Sequence, residues 1–279
     1  MFKRKYLDLV ILQYKPVSNH SRNIEYIDYL LNKYKIKKYS CVVCPELSLQ
    51  DYFCITRDVN KFKNAISINS KIVKLLKDVC NKYKIYLCVT IFEKSRDKYY
   101  NTAIIINPYG EIIKKYRKKN IPSEICYEER YYFHKPSNDY QFFSIDDFRV
   151  GILICWDQWH SDAYQKLKKK HVDCIICPTA IGKCKYKKTE IIIANEKKKW
   201  VNVIEANSLM INTPIAIVNR IGLEKQNEKQ INFWGMSFIT NPHGTRQKKS
   251  TNKESVIEHR ILKKDAISAK KMWNFTDMT

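Results

Sequence analysis

Short, nearly continuous apolar runs alternate along this chain with stretches whose apolar positions recur every three or four residues, the pattern of buried strands separated by amphipathic helices. The run at 6–13 reads as a strand, and the Asn/Ser-rich stretch 18–21 can cap a helix that presents Ile24, Ile27, Leu31 and Tyr34 on one face. A strand at 41–44, a helix presenting Ile72, Leu76, Val79 and Tyr83, and a strand at 85–92 follow. Segments 102–106 and 111–115 then form a hairpin through Asn107-Pro108-Tyr109-Gly110, where proline and glycine favour a turn. The second half repeats the order: strand 149–155, helix 161–170, strand 172–177, helix 189–210 and strands 215–219 and 233–240, the last ending in Asn241-Pro242-His243-Gly244. A βαβα unit with added strands, occurring twice, predicts an α/β fold in which two sheets pack face to face with helices outside, because a strand that is apolar throughout needs cover on both sides. No Gly/Ser/Pro-rich linker divides the halves, so 1–279 is expected to be one domain, with 122–146 as a long irregular connection and about 263–279 as a tail.

Composition adds limits. With 279 residues and 44% apolar side chains the chain can bury a sizeable core. No stretch approaches the roughly 18 apolar residues of a membrane span, and Met1-Phe2-Lys3-Arg4-Lys5-Tyr6 runs straight into strand-like sequence, so a soluble, cytoplasmic protein is the expectation. The ten cysteines sit largely in apolar runs and are expected to be mostly reduced. Cys41/Cys44 and Cys174/Cys177 are spaced like metal ligands, yet on a strand residues three apart point to opposite faces, so neither metal nor cofactor is expected. A net charge of +23 suits a nucleic-acid binder, but the lysines come in short clusters and no nucleic-acid-binding motif accompanies them. The abundance of Lys, Asn, Ile and Tyr instead suggests a coding bias that fills solvent-facing positions with lysine.

The candidate chemistry lies at strand ends. Strand 149–155 delivers Cys155 at its carboxyl end, where ligands bind in α/β sheets and where the positive end of a following helix would favour a thiolate. Glu46, in Cys44-Pro45-Glu46-Leu47-Ser48-Leu49, holds the matching place in the first half, where a carboxylate can take a thiol proton. Lys118 stands directly after the hairpin in Tyr116-Arg117-Lys118-Lys119-Asn120.

These blocks, in this order and spread from the first strand to about Gly244, resemble the nitrilase or carbon-nitrogen hydrolase superfamily. The resemblance implies a four-layer αββα sandwich with an internal pseudo-repeat, and a catalytic set of Glu46 as base, Lys118 as oxyanion stabiliser and Cys155 as nucleophile. It assigns a second glutamate to Glu129, with Glu128 as its adjacent rival, and it implies a homo-oligomer of at least two subunits. Finer blocks look most like the N-carbamoylputrescine amidase branch: Cys155-Trp156-Asp157-Gln158-Trp159, Pro178-Thr179-Ala180-Ile181-Gly182, and Asn219-Arg220-Ile221-Gly222 followed by Phe233-Trp234-Gly235-Met236-Ser237-Phe238-Ile239.

That branch implies hydrolysis of a small ureido or amide substrate, foremost N-carbamoylputrescine, to putrescine, carbon dioxide and ammonia. Trp156, Asp157, Glu128 and Tyr52 are the expected substrate contacts, and Asp157, Glu128 or Glu205 would meet a cationic tail. His160-Ser161-Asp162 replaces the family's common Phe-Pro-Glu, Ala206-Asn207 replaces Gly-His, and 270–275 looks like the family's tail cut short. One rival is a hydrolase of carbamoyl amino acids or other amides; a carbamoyl amino acid would need an arginine such as Arg130 or Arg220 for its carboxylate. A nucleic-acid-binding protein on an inactive scaffold is the non-enzyme rival.

Overall fold

The computed structural model describes residues 4–186, 189–190 and 195–273. Its first sheet contains β1 (Tyr6–Gln13), β2 (Cys41–Val43), β3 (Tyr86–Ser95), β4 (Lys98–Ile106), β5 (Ile112–Arg117) and, from the far end of the chain, β16 (Ser255–Leu262), in the order β16-β1-β2-β3-β4-β5. The second contains β6 (Gln141–Ile145), β7 (Phe148–Ile152), β8 (Cys174–Thr179), β11 (Ile215–Asn219), β14 (Phe238–Thr240) and β15 (Arg246–Lys249), in the order β6-β7-β8-β11-β14-β15. Each sheet has three central parallel strands, an antiparallel strand on one side and two on the other. The expected internal repeat is therefore present, with one exchange. The place that β6 fills in the second sheet is filled in the first by β16, so the chain's last strand returns to its first.

Side-chain alternation explains the layers. On β1, Leu7, Leu9 and Ile11 enter the core shared with the second sheet, whereas Val10 and Leu12 pack under α1 (His20–Lys33) and α2 (Lys71–Tyr83). Asn19 caps α1 by accepting from the Arg22 N–H, and Ser70 caps α2 by accepting from the Val73 N–H. Helices α4 (Ser161–Lys169) and α5 (Glu196–Ile211) bury Leu167, Trp200 and Ile204 with the second sheet, which completes the αββα sandwich, and α6 (Lys263–Met272) follows β16. No described helix is long and apolar enough to cross a membrane. Cys41 and Cys44 face opposite clusters, as their spacing requires.

Several boundaries depart from expectation. The connection 122–146 contains α3 (Glu129–Tyr132) and β6, and Tyr34 is exposed just beyond α1. The long helix starts at Glu196, not 189: Thr189–Glu190 form β10, and 191–194 lie outside the described residues. The expected strand 233–240 is broken because Gly235 and Met236 take left-handed backbone (φ 61° and 55°). A Cβ at position 235 would stand 2.7 Å from Ile221 and 2.8 Å from the Thr251 carbonyl, so only glycine fits the break.

The sequence reading missed a third sheet, β10-β9-β13-β12, built from β9 (Gly182–Tyr186), β10, β12 (Ile221–Gln226) and β13 (Lys229–Trp234). It extends from the carboxyl ends of β8 and β11. Ile231 and Phe233 close a separate apolar cluster with Tyr52, Phe53, Phe92 and Tyr132. A disulfide joins Cys126 to Cys184, and the other eight cysteines are free and buried.

Candidate active site

Strand ends bring the site together. Beyond β2 the chain passes Cys44-Pro45 to Glu46, whose N–H donates to the Thr179 carbonyl at the end of β8 (3.4 Å), tying one sheet to the other. At the end of β5 the Arg117 guanidinium is gripped by Glu93 at 2.8 and 2.9 Å and lies 3.6 Å from the Tyr100 ring centre. Alternation sends the next side chain, Lys118, to the opposite face. There the Lys118 Nζ donates to Glu46 Oε1 at 2.8 Å and to both Glu129 oxygens at 2.9 and 2.7 Å. Asn101 Nδ2 also donates to Glu46 Oε1 (2.7 Å), and the Tyr52 hydroxyl donates to Glu129 Oε1 (2.7 Å). Glu46 Oε2 is buried with no partner, which leaves a lone carboxylate oxygen free to accept a proton.

Cys155 opens a turn of 3-10 helix (Cys155–Trp159) three residues beyond β7, in left-handed backbone with φ 43°. A non-glycine residue held there costs about 1–3 kcal/mol, and the bend takes the thiol out of the line of the strand. The sulfur donates to the Ala180 carbonyl at 3.7 Å. Burial pushes the Cys155 thiol well above its usual range, Glu46 pushes it further, and Lys118 opposes them incompletely. The expected thiolate at a positive helix end is therefore corrected: the resting group is a neutral thiol, because burial next to carboxylates outweighs a single turn of helix. Burial alone would lower Lys118, but Glu129 and Glu46 hold it well above the usual lysine value. Burial raises Glu129 to about 7 against the pull of Lys118. Tyr52 is held far above the phenol range by burial and the Glu129 charge, so it stays a donor.

Cys155, Trp156, Trp159, Tyr127, Ala180 and Ile181 line a cavity of about 250 Å³, with Glu124, Glu196 and Lys199 also on its wall. A second cavity of about 530 Å³, lined by Lys119, Arg130, Lys135 and His160, shares Trp156 with it.

Of the expected substrate contacts, only Trp156 lines the cavity with Cys155. Asp157 is fully buried and accepts from the Tyr116 hydroxyl, the Ile154 N–H and both the N–H and Nδ2 of Asn120. It ties the cysteine turn to the segment after Lys118. Glu128 is ion-paired to Arg57 and Lys229, Glu205 to Arg246, and Tyr52 is sealed behind Glu129. Of the adjacent glutamates, Glu129 is the one that meets Lys118. Arg220 is also no carboxylate grip, since its guanidinium donates to the carbonyls of Glu46, Leu47 and Gln50 and to Glu224. Arg220→Met should leave the Glu46 and Gln50 carbonyls buried without their donor and take from Glu224 its cation, with only the Tyr52 N–H remaining to that carboxylate. The expected loss is about 3–5 kcal/mol, read as a lower urea midpoint.

Sequence reasoning missed Asn101, Tyr127, Trp159 as a wall, and the charged group Glu124, Glu196 and Lys199. One signal for Glu196 was present, since a helix begun at Asn195 puts this glutamate in its first turn.

The chain belongs to the carbon-nitrogen hydrolase family, whose profile matches residues 10–271. Among its relatives is a citrullinase from Francisella tularensis, 29% identical over 239 residues, which are 85% of this chain and 82% of that one. An N-carbamoylputrescine amidase from Oryza sativa is 26% identical over 257 residues, 90% of this chain and 84% of the relative. A crystal structure of a carbon-nitrogen hydrolase from Helicobacter pylori superposes with a TM-score of 0.88 at 24% identity, covering 98% of this chain and 95% of that chain, and shares the fold.

Proposed function

We propose that this chain hydrolyses a carbon-nitrogen bond of a small ureido compound, N-carbamoylputrescine foremost, with Cys155 as nucleophile. The observation that carries this reading is the buried Glu46–Lys118–Glu129 cluster, whose charges act on a thiol that opens onto the cavity. Glu46 Oε2 takes the thiol proton while sulfur attacks the carbamoyl carbon. Lys118 and the Trp156 N–H stabilise the oxyanion, and each such donor contributes roughly 2.7–4 kcal/mol. The carbon-nitrogen bond then breaks, its electrons leaving with nitrogen, which takes the proton back from Glu46. Water, deprotonated by Glu46, cleaves the carbamoyl thioester, Glu46 returns that proton to the leaving sulfur, and the carbamic acid released breaks its remaining carbon-nitrogen bond to give carbon dioxide and the second nitrogen product. From N-carbamoylputrescine the products are putrescine, carbon dioxide and ammonia. Glu129 keeps Lys118 charged and in place.

A ureido amino acid such as citrulline is the second reading, supported by Lys199, a cation on the same cavity wall that suits an α-carboxylate. Active subunits are proposed to be homo-oligomeric and cytoplasmic. The test is an assay for ammonia and free diamine from N-carbamoylputrescine beside citrulline and plain amides. Turnover of plain amides alone, with both ureido compounds inert, would sink the reading.

The pH profile offers a separate check. Below about 7 Glu129 takes up a proton, and Lys118 loses one of the two carboxylate charges that hold it in place. kcat/KM should fall about tenfold per unit on that side. Glu129→Gln removes the titrating group and should flatten this limb; a limb that stays in place would contradict its assignment to Glu129.

A further inference from the structure

We infer that Glu124 and Glu196 form a site for the ammonium end of the substrate, selecting ureido compounds that carry a primary amine a few carbons from the carbamoyl group. The identity of the reacting end rests on the function proposed above, whereas recognition of the amine is independent of turnover.

Both carboxylates line the cavity that Cys155 opens onto. Glu124 is exposed and Glu196 half-buried, and among the described residues no cation stands within ion-pair distance of either, although the chain holds 51 Lys+Arg for 28 Asp+Glu. Burial and the neighbouring Glu124 charge raise the Glu196 carboxyl, and Lys199 opposes them only in part. Trp156 and Trp159 stand beside them, ring centres 6.2 Å apart, and give apolar faces for methylenes and π-faces for an ammonium.

The turn that carries Glu124 is tied down on both sides. Glu124 and Tyr127 exchange backbone hydrogen bonds at 3.2 and 2.8 Å across a turn in which Cys126 has φ 68°. That turn is fixed to β9 by the Cys126–Cys184 disulfide and by the Tyr127 hydroxyl, which meets the Gly182 N–H and carbonyl at 3.1 and 3.3 Å. Glu196 is the first residue of α5. With Lys199 the formal charge of the group is −1, so a monocationic ureido amine neutralises it and a zwitterionic amino acid does not.

Two measurements test the site. Glu124→Gln, Glu196→Gln and the double variant are isosteric changes, compared with wild type on N-carbamoylputrescine and on pentylurea, in which a methyl replaces the ammonium. The ratio of the two kcat/KM values should drop roughly tenfold to hundredfold, the usual range for losing a charged hydrogen bond. Independently, 1,4-diaminobutane is titrated calorimetrically into Cys155→Ala protein with and without the two Glu→Gln changes. Its Kd should weaken by a similar factor in the double variant. Equal diamine affinity in both proteins, or none in the Cys155→Ala parent, would overturn the inference. Diamine binding that needs both glutamates in a protein without ureido turnover would support the amine site and defeat the proposed reaction.

Discussion

Replacing Cys155 by alanine is expected to lower turnover of every ureido and amide substrate by about 10⁴-fold or more while leaving the protein folded. Both halves of that expectation come from the resting state of the group. Its thiol is neutral, so deleting the sulfur removes no charge from a site that already holds two carboxylates and one ammonium. The side chain is small, and its one polar contact, with the Ala180 carbonyl, is long at 3.7 Å. Thermal unfolding should therefore shift by only a few degrees, while ammonia release stops. Retained turnover would remove Cys155 from the chemistry.

Lys118→Met should do more damage of a different kind. Glu46 and Glu129 are both fully buried and share this one ammonium, so the variant leaves two carboxylates side by side with no cation. Breaking such a pair costs about 3–5 kcal/mol, and losing an oxyanion donor adds about 10²–10³ in kcat. The stability loss should depend on pH with a defined sign. Burial already raises Glu129 to about 7, and removing Lys118 raises it further. A carboxyl whose folded pKa exceeds its unfolded value stabilises the fold below the unfolded pKa and loses that contribution as pH rises through the folded one. The deficit in urea midpoint should thus be largest near pH 8–9 and shrink toward about pH 5. Adding Glu129→Gln should restore much of the stability and none of the activity. A deficit that grew on acidification would contradict this charge arrangement.

Glu46, Lys118 and Cys155 were legible because each follows a strand end inside a short, ordered block, and strand ends survive errors of a residue or two. The two main sheets were legible for a related reason: strands apolar on both faces leave an unbroken run in the sequence. The third sheet leaves none. Its strands carry Lys183, Lys185, Glu224, Lys225 and Lys229, so their periodicity vanishes among the other lysines. Glu124 sat in a segment without periodicity, and Glu196 was hidden by a helix begun seven residues too early, since Asn195 enters α5 with φ 57°. Asp157 was misread because a carboxylate two residues from the candidate nucleophile looks available. Its hydrogen bonds to Tyr116 and Asn120, more than thirty residues upstream, have no sequence signature.

The bridge between Cys126 and Cys184 spans 58 residues and fastens the turn that carries Glu124, so it contributes about 4 kcal/mol by loop-closure entropy as well as fixing one wall of the cavity. Reducing agents are customarily added to keep a nucleophilic sulfur from oxidising. A reagent strong enough to break the Cys126–Cys184 bond would free that wall while it protects Cys155, so its two effects on catalysis would run in opposite directions.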